Sequence, residues 1–294
     1  MYRLELKKIV KSELDNTIKY IFYTEDRLIV EFSYLNKNDG KDIICVPSMS
    51  FCSLSCRFCH TTEHIGKIKN RNLNRYEITY GVDYIYKDLK LSEDPKPLLI
   101  SVMGIGEPIL NVEGVIGAML NIKHNYKDIY TRFAFATSLP EKKYDQFFEM
   151  TKAIDTLELP VKLHVSLHYT NDALRKEWMP NSLDISSTIS AADFYKKRTG
   201  NPVEIHYALL DGINDTEQDA IILTNLIKGK GFDVKFLFYN KKDINEIEPS
   251  DIKKIEVFAH HFKQWDIKYE YYKPVGLDIG ASCGQFILQE YLQK

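Results

Sequence analysis

Several absences bound this sequence before any motif is read. No apolar run approaches the roughly 18 residues needed to span a bilayer, and the opening M-Y-R-L-E-L-K-K has no apolar signal core. There is no internal repeat and no low-complexity stretch. Neither sign of charge dominates. Lys plus Arg number 39 against 41 Asp plus Glu, a net charge of −2, which excludes a polybasic tail but leaves room for a local basic face. Cysteine is scarce, and the 5 present are an odd number, which argues against a disulfide framework. With neither signal nor span, those thiols are expected in a reducing cytoplasm, with no membrane contact. At 294 residues and 44% hydrophobic content, the chain can bury one large core or two smaller ones.

What the chain does have is a dense cysteine loop. Cys52, Cys56 and Cys59 form C-x3-C-x2-C in F-C-S-L-S-C-R-F-C-H, Cys45 lies just upstream, and Cys283 stands near the C-terminus in D-I-G-A-S-C-G-Q. Three thiolates on one short loop suit three irons of a four-iron, four-sulfur cluster, a centre that normally takes four cysteines. The fourth iron is then open to another ligand. Other readings compete. A Cys3His zinc site would use His60 or His64, but structural zinc usually draws on a second ligand pair, and no second C-x2-C or H-x3-H is present. Cys56-Arg57-Phe58-Cys59-His60 also spells the haem-attachment motif, which belongs to exported proteins. Three buried structural thiols would not account for such dense clustering.

From about residue 96, short apolar strand candidates alternate with amphipathic helical stretches. The strand candidates are Leu98–Met103, Arg132–Ala136, Val161–Leu167, Val203–Leu209, Val234–Phe238 and Ile267–Tyr272. Helical periodicity runs through Tyr144, Phe147, Phe148 and Thr151, and through Ala220, Leu223 and Ile227, with Asp215-Thr216-Glu217 reading as a helix start. Such alternation predicts an α/β fold with parallel strands and outer helices, as an open sheet or a barrel, with ligands at the C-terminal ends of the strands. Residues 1–42 read as a short β-rich segment, with Arg27–Leu35 followed by a turn at Asn38-Asp39-Gly40; residues 43–294 form the main unit.

At those strand ends stand G-I-G-E-P (Gly104 to Pro108), Ser166-Leu167-His168, and D-G-I-N-D containing Asn214. G-I-G-E-P is not a dinucleotide fingerprint, because Ile109 stands where the third glycine belongs. Its bland reading is a tight turn. The carboxylate that follows, Glu107, is nonetheless placed to receive a ligand's ammonium group.

Taken together, these segments resemble the radical S-adenosylmethionine (SAM) enzymes, specifically the RlmN/Cfr family of RNA adenine methyltransferases. The resemblance rests on C-V-P-S-M-S-F-C-S-L-S-C-R-F-C (45–59), N-R-N-L (70–73), M-G-I-G-E-P-I-L-N (103–111), S-L-H-Y-T-N-D-A-L-R (166–175), Y-A-L-L-D-G-I-N-D (207–215) and D-I-G-A-S-C-G-Q (278–285). It implies a partial (β/α)6 barrel of the radical SAM type, with the cluster loop after its first strand. It implies Cys52, Cys56 and Cys59 as cluster ligands. Gly106, Glu107, Ser138, Ser166, Leu167, His168 and Asn214 become SAM-binding residues. Ser138 as a helix cap near Pro140, and His168 as a satisfied buried histidine, are the bland alternatives.

The family mechanism implies that one SAM methylates Cys283 and that a second is cleaved reductively to a deoxyadenosyl radical, which takes hydrogen from that methyl group. The resulting carbon radical adds to adenine C2. Cys45 then attacks the Cys283 sulfur to release product, leaving a disulfide to be reduced. Polar transfer to C2 is blocked because that aromatic carbon is not nucleophilic, so a cofactor must carry the chemistry. Glu31, in V-E-F-S-Y, is the expected base for the C2 proton; its bland alternative is an exposed acid on an alternating strand. An electron donor such as flavodoxin or ferredoxin is implied.

Departures from the family bear on the substrate. About 44 residues precede Cys45, so most of the family's N-terminal accessory domain is expected to be missing. Tyr271, Tyr272 and Val275 occupy a stretch where arginines are common, His206 stands where Glu is usual, and Leu139 takes the place of a Gly. The stretch Gly66–Arg75 carries Lys67, Lys69, Arg71 and Arg75 with no acid and is a candidate RNA contact, or otherwise a solvated face. The leading expectation is methylation of adenine C2 in ribosomal or transfer RNA. The alternatives are methylation at C8 or of a non-RNA substrate, or an iron–sulfur protein that binds RNA or senses redox state.

Overall fold

The computed structural model describes residues 3–36, 40–240, 248–272, 274–282 and 285. Residues 38 and 39 of the expected turn, and Cys283, lie outside the described residues. Ten strands form one sheet in strict chain order. The first four are β1 (Glu5–Lys11), β2 (Ile18–Tyr23), β3 (Ile29–Leu35) and β4 (Asp42–Cys45), each antiparallel to the one before. From β4 onward every pairing is parallel: β5 (Leu98–Val102), β6 (Thr131–Thr137), β7 (Val161–Ser166), β8 (Val203–Leu209), β9 (Asp233–Phe238) and β10 (Tyr269–Tyr272).

Helices fill the crossovers. They are α1 (Arg75–Asp88), α2 (Val112–Asn125), α3 (Tyr144–Thr156), α4 (Asp172–Trp178) with α5 (Ile185–Thr199), α6 (Glu217–Ile227) and α7 (Ile252–Lys263). Strands β4 to β9 are thus each followed by a helix, giving six β/α units with β10 added as a further strand. Right-handed crossovers between neighbours that never reverse direction put all helices on one face, which makes a singly wound partial barrel rather than a doubly wound sheet. The expected partial (β/α)6 barrel with an N-terminal β-rich segment is what forms, and the N-terminal strands continue the same sheet.

Alternation along the strands decides what each face does. On β7, Val161, Leu163 and Val165 are buried in the core with Phe147, Met150 and Ile154 of α3 and Tyr195 of α5. On β8 and β9, Val203, Ile205, Tyr207, Val234 and Phe236 join the same core with Leu223 of α6 and Phe258 and Phe262 of α7. The intervening residues, Lys162, His164 and Ser166, then Glu204, His206 and Ala208, then Lys235 and Leu237, therefore face the barrel interior. The apolar half of each strand builds the core, and the polar half lines the site.

Helix starts were partly legible. Thr216 caps α6 through a reciprocal capping box with Asp219, as the acidic start suggested. Asn74 caps α1 in the same way with Glu77. Strand β10 starts at Tyr269, later than the apolar run from Ile267 indicates; Ile267 N–H instead donates to Phe262 O at the end of α7. Among the described residues, no helix is long and apolar enough to cross a membrane.

Candidate active site

The cysteine loop leaves β4 at Cys45 and is fastened on both flanks. On one side Asn111 Nδ2 donates to Ser48 O (2.6 Å) and Leu73 O (2.8 Å), and Gly104 N–H donates to Val46 O (3.1 Å). On the other, Arg57 N–H donates to Trp178 O (2.8 Å) and Asn181 Nδ2 to Leu54 O (3.0 Å). Within the loop, Cys59 N–H and Thr62 Oγ1 both donate to Cys56 O. The loop is thus held across the mouth of the barrel. Cys52, Cys56 and Cys59 all line one cavity of about 220 Å³ there, together with Gly106, Glu107, Ser138, Ser166, His168 and His206.

Burial, then the neighbouring Cys59 and Glu107, push the Cys52 thiol up to about 12, and burial raises Cys56 well above the ordinary range. Desolvation makes bare thiolates unfavourable here, so the loop holds anionic sulfur only when a cation compensates it. Three soft donors on one cavity fit iron–sulfur ligation through three cysteines.

Glu107 sits beside them, 3% exposed. Its Oε2 accepts from Ser138 N–H (2.9 Å) and Oγ (3.1 Å), and its Oε1 from Ile109 N–H (3.1 Å). Burial raises its pKa while these donors pull it down. Ser138 therefore serves Glu107 and is not a helix cap. Gly106 has φ +109°, and a Cβ there would fall 2.4 Å from Ser48 Oγ, so only glycine lets the turn close over the loop.

His168 also has positive φ, 58°. Its Nδ1 accepts from Ala208 N–H (3.0 Å), its ring meets Phe58 edge-on at 5.0 Å, and burial holds its pKa well below the usual histidine range. It is a neutral imidazole on the cavity wall. Leu167 and Asn214 stand behind that wall. Leu167 packs in the core, and Asn214 uses its whole amide on backbone, accepting from Leu210 N–H (2.7 Å) and donating to His168 O (2.6 Å) and Ala208 O (2.7 Å).

Cys45 and Glu31 are reached through strand register. Cys45 pairs with Ser33 of β3, and Ser33 with Lys19 of β2. Directly paired residues project to one face, so Lys19, Ser33 and Cys45 share it, and Glu31, two residues from Ser33, shares it too. Glu31 is 1% exposed with Lys19 Nζ at 3.6 Å, so it is no solvated strand acid.

Two features were not read from the sequence, although His206 of the second was noted there. Arg175, 1% exposed, donates to Ser166 O (3.0 Å), Leu167 O, Ser138 O (3.2 Å) and Leu183 O (2.8 Å), tying the ends of β6 and β7 together from below. The other is a polar group on the barrel floor. His164 Nδ1 lies 2.8 Å from His206 Nε2 and 2.9 Å from Glu204 Oε1, and Glu204 also meets Lys235 Nζ at 2.6 Å and Lys162 Nζ. Among the described residues this is the one group of three His, Cys, Asp or Glu side chains whose ligand atoms all lie within 4.8 Å of one another. Two ammonium groups already claim its carboxylate, so a divalent cation would face two like charges at short range; the group is an ion-paired hydrogen-bond network.

The basic stretch differs from its sequence reading. Arg71 forms a fork on Glu77 (2.8 and 2.9 Å) and also binds Asp26 (2.7 Å), while Lys69 binds Asp26 (3.1 Å). Acids from other segments neutralise it, and Arg71 is structural. Lys67 and Arg75 remain as candidate phosphate contacts.

The singly wound barrel and the three-cysteine loop define a radical SAM enzyme, and the Radical SAM superfamily model matches residues 46–223. Superfamily members use a four-iron, four-sulfur cluster and SAM. The chain belongs to the RlmN family of this class. It is 30% identical to the probable dual-specificity RNA methyltransferase RlmN of Alkaliphilus oremlandii over 99% of this chain and 81% of that protein. The corresponding protein of Clostridioides difficile is 30% identical over 96% and 78%. A crystal structure of a radical SAM methyltransferase from Sphaerobacter thermophilus superposes with TM-score 0.82 at 27% identity, over 96% of this chain and 80% of that one. Spore photoproduct lyase with a dinucleoside photoproduct shares the fold at 11% identity, TM-score 0.57, over 78% and 76%.

Proposed function

We propose that the chain methylates carbon 2 of adenine in ribosomal RNA, transfer RNA or both, in the cytoplasm, through a methylated Cys283. The observation that carries this reading is the convergence of Cys52, Cys56, Cys59 and Glu107 on one cavity, with Cys45 and Glu31 on one face of the adjoining strands. The names of the two RlmN relatives support RNA as the substrate.

Cys52, Cys56 and Cys59 would hold a four-iron, four-sulfur cluster, which would supply the electron for reductive cleavage of SAM, replenished by a flavodoxin- or ferredoxin-type donor. Glu107, whose charge three donors stabilise against the effect of burial, receives the methionyl ammonium beside Gly106. Ser138, Ser166 and His168 shape the wall around the rest of SAM, and Leu167 and Asn214 hold that wall in place. The Cys283 thiolate displaces S-adenosylhomocysteine and becomes a thioether. Once one hydrogen atom has left the new methyl group as 5′-deoxyadenosine and the carbon has bonded to adenine C2, Glu31 would take the C2 proton while the remaining odd electron would pass back to the cluster. The Cys45 thiolate would then attack the Cys283 sulfur, whose bond to that carbon would break as the carbon takes up a proton to become the product methyl; the resulting disulfide would need two electrons from a thiol reductant. Residues 1–42 form the N-terminal segment and 43–294 the barrel unit in this scheme.

Anaerobic reconstitution tests the cluster assignment. The protein should take up iron and sulfide, with a spectrum that changes on adding SAM, and Cys52→Ala, Cys56→Ala or Cys59→Ala should lose both. Stoichiometric zinc without iron would overturn the assignment.

A further inference from the structure

The turn between β1 and β2 folds onto the segment that leads into Cys283. Ser12 Oγ donates to Asp278 Oδ1 (2.7 Å) and Glu13 N–H to Asp278 Oδ2 (2.7 Å), so both oxygens of one carboxylate are held. Two more contacts follow on the same segment: Gly276 N–H donates to Asp15 Oδ2 (2.8 Å), and Lys19 Nζ donates to Gly280 O (3.2 Å). These groups lie 261 to 266 residues apart in sequence.

The turn is built before it grips. Ser12 Oγ accepts from Leu14 and Asp15 N–H (3.1 Å each), Asp15 Oδ1 accepts from Thr17 N–H (2.8 Å), and Ser12 N–H closes on Thr17 O (2.9 Å). Gly276 has φ +64°, and a Cβ there would lie 2.8 Å from Thr17 Cγ2, so the two segments touch as closely as a glycine permits. Ser282 is buried but its hydroxyl has no partner among the described residues, and the hydrogen bonds above reach this segment from outside at Gly276, Asp278 and Gly280. Lys19 links this hold to the site, since it is ion-paired with Glu31 and in register, through Ser33, with Cys45. Two strand spacings, about 10 Å, separate Lys19 and Cys45 along the sheet.

We propose that the β1–β2 turn is a clamp for the C-terminal cysteine segment, with Ser12, Asp15 and Lys19 as positioning residues that act through Gly276, Asp278 and Gly280. The clamp rests on the reading of Cys283 as the methyl carrier for its purpose, but not for its existence. Its role is to restrain the segment so that the Cys283 thiol serves the face that carries Cys45 and Glu31. The N-terminal segment is then part of the catalytic apparatus.

The test uses the full chain, purified anaerobically, as wild type, Ser12→Ala, Ser12→Thr and Asp278→Ala. Alkylation of Cys283 by iodoacetamide is timed by mass spectrometry against Cys45 in the same molecule, and methyl occupancy of Cys283 is measured separately. Each lost hydrogen bond should favour local opening about fivefold, so Ser12→Ala should speed Cys283 alkylation by about that factor and Asp278→Ala by more, with Cys45 unchanged. Ser12→Thr, which keeps the hydroxyl, should behave as wild type, and methyl occupancy should fall in the two alanine variants. Cys283 alkylation equal to wild type in both alanine variants overturns the clamp, whatever the methyl occupancy. An unmethylated Cys283 in active wild type would instead sink the methyl-carrier reading, and the alkylation ratios would still decide the clamp.

Discussion

Glu107 and Ser138 form a closed contact between β5 and β6: one carboxylate oxygen accepts both the backbone N–H and the hydroxyl of the serine, at 2.9 and 3.1 Å. A fully buried carboxylate raised by desolvation stays useful as an anion only because these donors and Ile109 N–H stabilise the charge.

Glu107→Gln turns one acceptor into an NH2 group that either meets the Ser138 donors or gives up the ligand's ammonium. Removing a charge-assisted bond of this kind should weaken SAM binding about 10- to 100-fold. Equilibrium binding to the reconstituted protein measures it. Unchanged affinity would remove Glu107 from the cofactor site.

Leu139 sits at φ 56°, in the left-handed region that favours glycine, yet it is 1% exposed and packed in the core. Burial and backbone strain oppose each other. Leu139→Ala should cost about 2–5 kcal/mol from lost packing. Leu139→Gly loses one more methyl but relieves about 1–2 kcal/mol of left-handed strain, so it should unfold no more easily than the alanine variant. A glycine variant clearly weaker in urea denaturation would contradict this balance.

His164 is pushed down to about 3, first by burial and further by His206 and Lys235, although Glu204 pulls the other way. In the unfolded chain it titrates near 6.5. Between those values the unfolded state binds the extra proton, so stability should fall as pH drops from about 6.5 toward 3. His164→Gln should flatten that part of the urea-midpoint profile. An unchanged slope would show that His164 does not carry it.

The two lone cysteines should separate cleanly. Cys283→Ala should block methyl loading and turnover together. Cys45→Ala should load normally and then accumulate a covalent protein–RNA adduct, because no thiol remains to attack the Cys283 sulfur. Adducts appear as a mass or mobility shift. Normal turnover by Cys45→Ala without adduct would contradict the two-cysteine route.

Much of this was legible in the sequence, for identifiable reasons. Alternation such as Val161-Lys162-Leu163-His164-Val165 fixes both strand and facing, and local spacing brings Cys52, Cys56 and Cys59 together without tertiary information. What could not be read depends on partners distant in sequence. Arg71 looked like a phosphate contact because Asp26, which neutralises it, lies in another loop. Arg175 stands in a quoted motif, but its work is to bind carbonyls of β6 and β7, which no spacing rule reveals. The contact of Asn214 with His168 O likewise joins segments far apart in sequence. The grip of Ser12 and Asp15 on Asp278 and Gly276 joins the two ends of the chain, beyond any local pattern.

The central claim is tested most directly by nucleoside mass spectrometry of ribosomal and transfer RNA from cells with and without the gene, the latter complemented with wild type or Cys283→Ala. The account predicts 2-methyladenosine, resolved from the 8-methyl isomer, that disappears without the gene and returns only with the wild-type protein. RNA with the same methyladenosine content in all strains, or a product methylated at carbon 8, would contradict it.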